Sequence, residues 1–352
     1  MPAGTKRIVS LDLLRLLAAF GVVALHSSAI RLMPFLEDLW AAKWWMAHVM
    51  LAMKVCVPLF VLISGSLLLD PAKYRDDWGS YRKQLTRILV PLVVWVSFYS
   101  LLAVLKLYRQ DALSLAALKV PVVRGVAYFH LWYLFMALGL YVFTPFFRMV
   151  VRESTPERLR YLVVLLLLFG LGYWGITGFI GRKYYCVAND LLIFPPYLIF
   201  YFVGYYIRRF WKMAFPVWLP ILSFGVFWAS GVVGETLLLL IRGKYVGFFY
   251  TPLSPSLVGM ALSLFVLAVR LEAQLRNLRP SAKGALTFMA RATLGCYCVH
   301  PFVMQHVIGR FDIDAAGLAF AVFVAVEAAS VFVVSTAIAL ILLRIPILRK
   351  AV

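Results

Sequence analysis

Charge is scarce in this sequence, and acidic charge scarcest of all. Only 14% of the 352 residues are charged, 15 of them acidic against 35 basic. A soluble domain carries about a quarter charged residues, so a water-facing surface of ordinary extent cannot be built from this chain. Cysteine is scarce too. Of the 4 present, Cys56, Cys296 and Cys298 fall in apolar runs and only Cys186 does not, so neither a disulfide framework nor a metal site is expected. No polar gap is long enough for a separate soluble domain, and no internal repeat is visible. The net charge of +20 is scattered through short gaps between apolar runs. That pattern sets membrane topology and argues against nucleic acid as a partner.

What is abundant is apolar. Hydrophobic residues make up 64% of the chain and aromatics 16%, and mean hydropathy is +0.90. The lipid bilayer is therefore the solvent, and a chain that satisfies its own backbone there is helical or a closed barrel. Runs of about 20 apolar residues select helices. The fold expected is an all-α bundle of about ten transmembrane helices forming one domain over residues 1–352. The spans read Ile8–Ile30, Trp44–Leu69, Leu85–Leu105, His130–Val151, Leu159–Ile180, Leu191–Arg208, Phe215–Ile241, Pro252–Val269, Leu286–Gly309 and Ala315–Leu343. Trp44, Trp45, Trp132, Tyr133, Trp211 and Trp218 fall near span ends, where aromatic anchors belong. Gaps on the side of the two termini hold about twice as many Lys and Arg as the other gaps, which puts both termini in the cytoplasm. The first span is expected to stay uncleaved, because Asp12 and Arg15 interrupt it early and the run exceeds a signal-peptide core.

That first span carries the strongest chemical signal. Asp12, Arg15 and His26 all lie in it, and ionisable groups at membrane depth usually mark function. Arg15 and His26 fall within ~20° of one helix face and ~16 Å apart along the axis. One face thus offers an anion-binding group toward the cytoplasm and a proton acceptor toward the outside. The alternative is that Arg15 snorkels, or only neutralises Asp12 one turn away, and that His26 packs. Lys54, mid-span, needs a wet cavity or a counter-charge, for which Glu235 and Glu327 are available. Pro58, Ser64 and Gly65 kink or tighten the second span, or line a cavity. Arg82, Lys83 and Arg87 form the most basic gap, readable as topology signal or phosphate contact. His130 and Trp132 sit at the outer surface, as anchors or acceptor contacts, and Tyr141 lies mid-span with a hydroxyl that needs a partner. Asn189 and Asp190 suit a helix cap or a sugar hydroxyl. His300-Pro301 frees a carbonyl one turn back and opens the helix locally; packing or a cavity role both fit.

Taken in order, these motifs resemble the membrane-bound acyltransferase-3 family, of the surface-glycan O-acyltransferase type that modifies enterobacterial common antigen or exopolysaccharide. The matching residues are Asp12-Leu13-Leu14-Arg15 with His26, Pro58 to Ser64-Gly65, Arg87 with Ile88-Leu89-Val90-Pro91, Trp132 to Tyr141, Gly204-Tyr205-Tyr206, and Gly295, Tyr297, His300 and Pro301. Gln84 stands where the family usually has the first Arg of an Arg-x-x-Arg pair. The resemblance implies acyl transfer, most often acetyl, from cytoplasmic acetyl-CoA to a hydroxyl of a surface polysaccharide or lipid-linked saccharide, in a bacterial cytoplasmic membrane and without a metal. Under it, His26, Asp12 and Tyr141 are the catalytic candidates. Arg15, Arg87 and Lys83 are the donor-binding candidates, and His130, Trp132, Lys54, Ser64 and His300 line the acceptor site or cavity. A glycan or lipid exporter and a non-catalytic subunit of a polysaccharide-synthesis complex are the competing classes.

Overall fold

The computed structural model describes residues 7–39, 42–73, 77–110, 129–179, 194–211, 213–308 and 317–352. Among them the structure is helical, with no strand. In chain order the helices are α1 (Val9–Leu32), α2 (Ala42–Ala52), α3 (Cys56–Leu68), α4 (Trp78–Arg109), α5 (Trp132–Glu153) and α6 (Pro156–Phe179). They continue as α7 (Leu198–Phe210), α8 (Trp218–Arg242), α9 (Pro255–Leu275), α10 (Pro280–Arg291), α11 (Thr293–Val303) and α12 (Gly317–Arg344).

Among the described residues, 8 stretches are long and apolar enough to cross a bilayer. Two of the ten expected spans depart from that pattern. The sixth is described only from residue 194, as a 3-10 turn at Pro195–Tyr197 and the 13-residue α7. The ninth is divided into α10, α11 and a π-helical turn at Met304–Ile308. The second span is one apolar run but two helices, with a 3-10 turn at Met53–Val55 between α2 and α3. Hydropathy registers apolar content and not helix continuity, so such breaks pass unseen.

α1 is the centre of the bundle. It packs against α2, α3, α9, α10, α11 and α12. Around it, α3 crosses α7 at backbone contact. A Cβ on Gly65 would collide with the Tyr201 carbonyl oxygen, and one on Gly204 with the Leu62 carbonyl oxygen. Two glycines, one from each helix, thus set that crossing, as small residues do in membranes. Local signals fix several ends. Asp77 caps α4 by accepting from the Ser80 N–H at 2.7 Å, Ser254 caps α9 ahead of Pro255, and Gly243 at φ +67° stops α8.

Side-chain contacts sort the helix ends into two groups. Asp12, Asp70, Gln84, Arg148, Arg208 and Glu272 lie at the start of α1, the end of α3, the start of α4, and the ends of α5, α7 and α9. They are joined there by Arg7–Asp12, Arg208–Asp70, Arg148–Gln84 and Glu272 to the Ser10 N–H. We call this the basic end. At the opposite end, Arg31 pairs with Glu327 at 2.9 Å, His48 meets Tyr250, and Glu37 accepts from the Tyr245 N–H. The helices therefore alternate in direction as the span count requires.

Several sequence expectations change in detail. Trp45, Trp211 and Trp218 are exposed anchors, but Trp44 is buried against His48. Arg148, near the end of the fourth span, is buried at 3% exposure and donates to the Leu68 carbonyl at 2.6 Å and to Gln84 Oε1. A guanidinium from α5 thus reaches the position where Gln84 replaces the family's Arg. Cys56, Cys296 and Cys298 are buried free thiols. Cys186, Asn189 and Asp190 lie outside the described residues.

Candidate active site

Three histidines converge between α1, α11 and the start of α5. His26 Nδ1 lies 2.9 Å from His300 Nε2. The two ring centroids are 5.2 Å apart with planes 6° from parallel. That centroid separation equals the N···N contact plus the two ring radii, so both nitrogens lie on the centroid line and the hydrogen bond runs in the ring planes. His300 is fully buried, and its Nδ1 lies 2.6 Å from the Tyr297 carbonyl oxygen. His130 stands edge-on to His300, with centroids 5.4 Å apart. It was expected at the outer surface, yet its exposure is 0%. The Tyr297 hydroxyl donates to its carbonyl, and Tyr99 and Tyr297 pack on its ring, which draw it inward. Phe129 covers His26 edge-to-face at 4.9 Å.

An aromatic seam runs from this cluster toward the basic end. Tyr297 packs on Tyr133 with centroids 5.3 Å apart, and Tyr133 on Phe60. Arg15 and Tyr141 both lie within electrostatic reach of the Tyr133 hydroxyl. Arg15 and His26 therefore address the two ends of one seam of rings, as their shared face on α1 requires.

At the basic end, Asp12 is buried and contacts three groups. Arg7 donates to it at 2.6 Å, Thr287 at 3.4 Å and Arg15 at 3.5 Å. The expected Asp12–Arg15 contact is present, but Arg7 is the nearer partner. Beside Ser10, a cleft of about 220 Å³ is lined by Ile8, Ser10, Leu11, Arg208, Val269, Glu272 and Arg276. Both Glu272 oxygens are engaged there, one by the Ser10 N–H at 2.8 Å and one by Arg276 at 2.7 Å. Lys83 and Arg87 are exposed on α4, which packs on α5, while Gln84 and Ile88 face inward.

A family model described as an acyltransferase domain matches residues 8–344. The chain belongs to the acyltransferase-3 family. It is a multi-pass membrane acyltransferase. No curated protein and no solved structure gives a significant match.

The remaining candidates of this acyltransferase lie apart from the histidine cluster. Trp132 is half-buried against Tyr197, and Ser64 is half-buried in α3 beside Gly65. Lys54 sits in the 3-10 break of the second span. Its counter-charge is Glu235, which acts on it electrostatically without a direct ion pair, whereas Glu327 is taken by Arg31. Glu235 also accepts from the Gly247 and Phe249 N–H groups at 3.0 and 2.6 Å, tying α8 to the turn before α9. Sequence reasoning passed over His48. Fully buried at the opposite end, its Nδ1 lies 3.0 Å from the Tyr250 hydroxyl, and Trp44 packs on its ring. A histidine inside an apolar run was the available signal. Tyr99 and Tyr133 were also missed as members of the seam, because single aromatics in an aromatic-rich chain carry no mark of what they will meet. Among the described residues, no group of three or more His, Cys, Asp or Glu is arranged to hold a metal ion.

Proposed function

We propose that this acyltransferase moves an acyl group, most often acetyl, from acyl-CoA at the basic end to a saccharide hydroxyl at the opposite end. The observation that carries the reading is the seam: Arg15 toward one end, the His26 cluster toward the other, and Tyr133 and Tyr297 between them. The basic end faces the cytoplasm, where acyl-CoA is made. Arg15 holds a donor phosphate by charge-assisted hydrogen bonds, while Arg208 and Arg276 at the nearby cleft are paired with Asp70 and Glu272. The pantetheine arm lies along the rings and delivers its thioester to His26.

The acceptor hydroxyl gives its proton to neutral His26 while its oxygen attacks the thioester carbonyl carbon. The C–S bond breaks, and the leaving thiolate takes that proton back. The products are the ester and free coenzyme A, and His26 is restored. A general base of this kind is worth ~10²–10⁴-fold in rate. His26→Ala, purified in lipid nanodiscs, should lose transfer of labelled acetyl from acetyl-CoA to a capsular or lipid-linked saccharide by that factor, with donor affinity little changed. Near-normal turnover in that variant would return His26 to a packing role. Of the acceptor-side candidates, Trp132 acts on the saccharide in this reading while His130 packs behind His300, and the residues of the seam exclude water from the thioester.

A further inference from the structure

We propose that His300 and Pro301 together set the proton on His26, and that His300 is a positioning residue for the transfer. The proposal rests on His26 being the general base and adds which of its nitrogens does the work.

The argument starts from the helix ladder. In α11 the N–H of residue 301 would bond the carbonyl of residue 297, four residues back. Residue 301 is proline and has no N–H, so the Tyr297 carbonyl is released from the ladder. His300 Nδ1 takes it, at 2.6 Å. A carbonyl oxygen only accepts, so Nδ1 of His300 carries the proton. In neutral His300, Nε2 is then the lone-pair nitrogen. It faces His26 Nδ1 at 2.9 Å along the centroid line, so His26 Nδ1 is the donor in that bond. The remaining nitrogen of His26, Nε2, is left with its lone pair and has no hydrogen bond among the described residues. That is the nitrogen that can receive a proton from an acceptor hydroxyl. When it does, His26 becomes an imidazolium whose Nδ1–H still points at an acceptor, so the charged form is held in the same pose.

Without this chain a neutral histidine is free to hold its proton on Nε2, where it would face the acceptor as a donor and could not act as base. The tautomer of a base is set by the bond its other nitrogen makes. Here the bond partner is itself oriented by a carbonyl that a proline set free. The other groups facing the pair are rings: Phe129 on His26, and His130 and Tyr297 on His300. Asp12, the carboxylate on α1, is about four turns away and engaged by Arg7. The orienting group is therefore an imidazole and not a carboxylate.

Nitrogen-15 spectroscopy on histidine-labelled protein reads the tautomer directly, and the chain holds only 5 histidines. The His26 signal is assigned by its loss in His26→Asn. In the unaltered protein, His26 should show a protonated Nδ1 and an unprotonated Nε2. His300→Phe keeps a ring but no acceptor; it should abolish that preference and lower kcat by 10²-fold or more, with donor KM within about twofold. His300→Gln offers an amide oxygen near the place of Nε2 and should recover at least tenfold of the loss. Pro301→Ala restores an N–H that competes for the Tyr297 carbonyl, and should weaken both the tautomer preference and kcat. An Nε2-protonated His26 in the unaltered protein, or full kcat in His300→Phe, would overturn the proposal. Full activity in His26→Ala would instead overturn the general-base reading beneath it, so the two failures are distinguishable.

Discussion

Arg7 reaches Asp12 at 2.6 Å and Arg15 reaches it at 3.5 Å, and the difference sets what each arginine is free to do. A carboxylate held at the shorter distance by Arg7, with Thr287 as a further donor, does not depend on Arg15 for its charge balance. Arg15 keeps most of its five donors for a ligand. Arg15→Gln should therefore raise donor KM by roughly 10- to 150-fold, the range of one charge-assisted hydrogen bond at ~1.5–3 kcal/mol. Acceptor KM should hold. Arg15→Lys should recover only part, since a point charge lacks the guanidinium fork. Arg7→Gln should lower the melting temperature and leave donor KM near normal. Joint replacement, Asp12→Asn with Arg15→Gln, separates a ligand from a structural pair: a donor ligand leaves KM poor. Normal KM in that double variant would remove Arg15 from the donor site. Lys83 and Arg87 stand exposed on α4 and should move donor KM much less than Arg15 does.

At the scale of elements, the crossing of α3 with α7 holds the scaffold behind the seam. Gly65 faces the Tyr201 backbone and Gly204 faces the Leu62 backbone, so neither helix can yield by moving a side chain. Overpacking of a well-filled core already costs ~1–3 kcal/mol, and a backbone contact gives less room to relax. Gly65→Ala and Gly204→Ala should each lower the melting temperature in detergent by several degrees, while Gly225→Ala, whose added Cβ meets nothing within 4 Å, should not. Equal stability of all three would mean that the crossing tolerates an added methyl group. Individual elements of this kind were largely legible. Span content, the Gly65 close approach and the carbonyl freed by Pro301 all follow from residue type and spacing. Continuity was not: Met53–Val55 and Met304–Ile308 lie inside runs that hydropathy averages into single spans, and that average does not mark a change of winding. Convergence between elements was the other blind spot. His26, His130 and His300 were each legible as candidates, but that they form one cluster depends on how α11 packs on α1. Arg148 looked like any cation at a helix end until packing turned it onto Gln84.

The whole molecule has a direction, and the proposed chemistry depends on it. The charge census leads one to expect the basic end in the cytoplasm, and the alternation of helices seen in the structure fixes which residues share that side. Arg152, at the end of α5, is exposed at the basic end, and Lys244, just past α8, is exposed at the opposite end. Single cysteines at these positions can be probed in intact cells with a membrane-impermeant maleimide. Cys56, Cys296 and Cys298 are buried, and Cys186 is replaced by serine in the background. Lys244→Cys should react at once, and Arg152→Cys only after the membrane is opened. The reverse pattern would place Arg15 outside, where acyl-CoA is not made, and His26 on the side of the donor. The seam would then run the wrong way for a cytoplasmic thioester, and the donor would have to be an acyl carrier supplied from outside the membrane. Reaction of both cysteines from outside would contradict the alternation itself, because Arg152 lies on the same side as the Asp70–Arg208 and Asp12–Arg7 pairs.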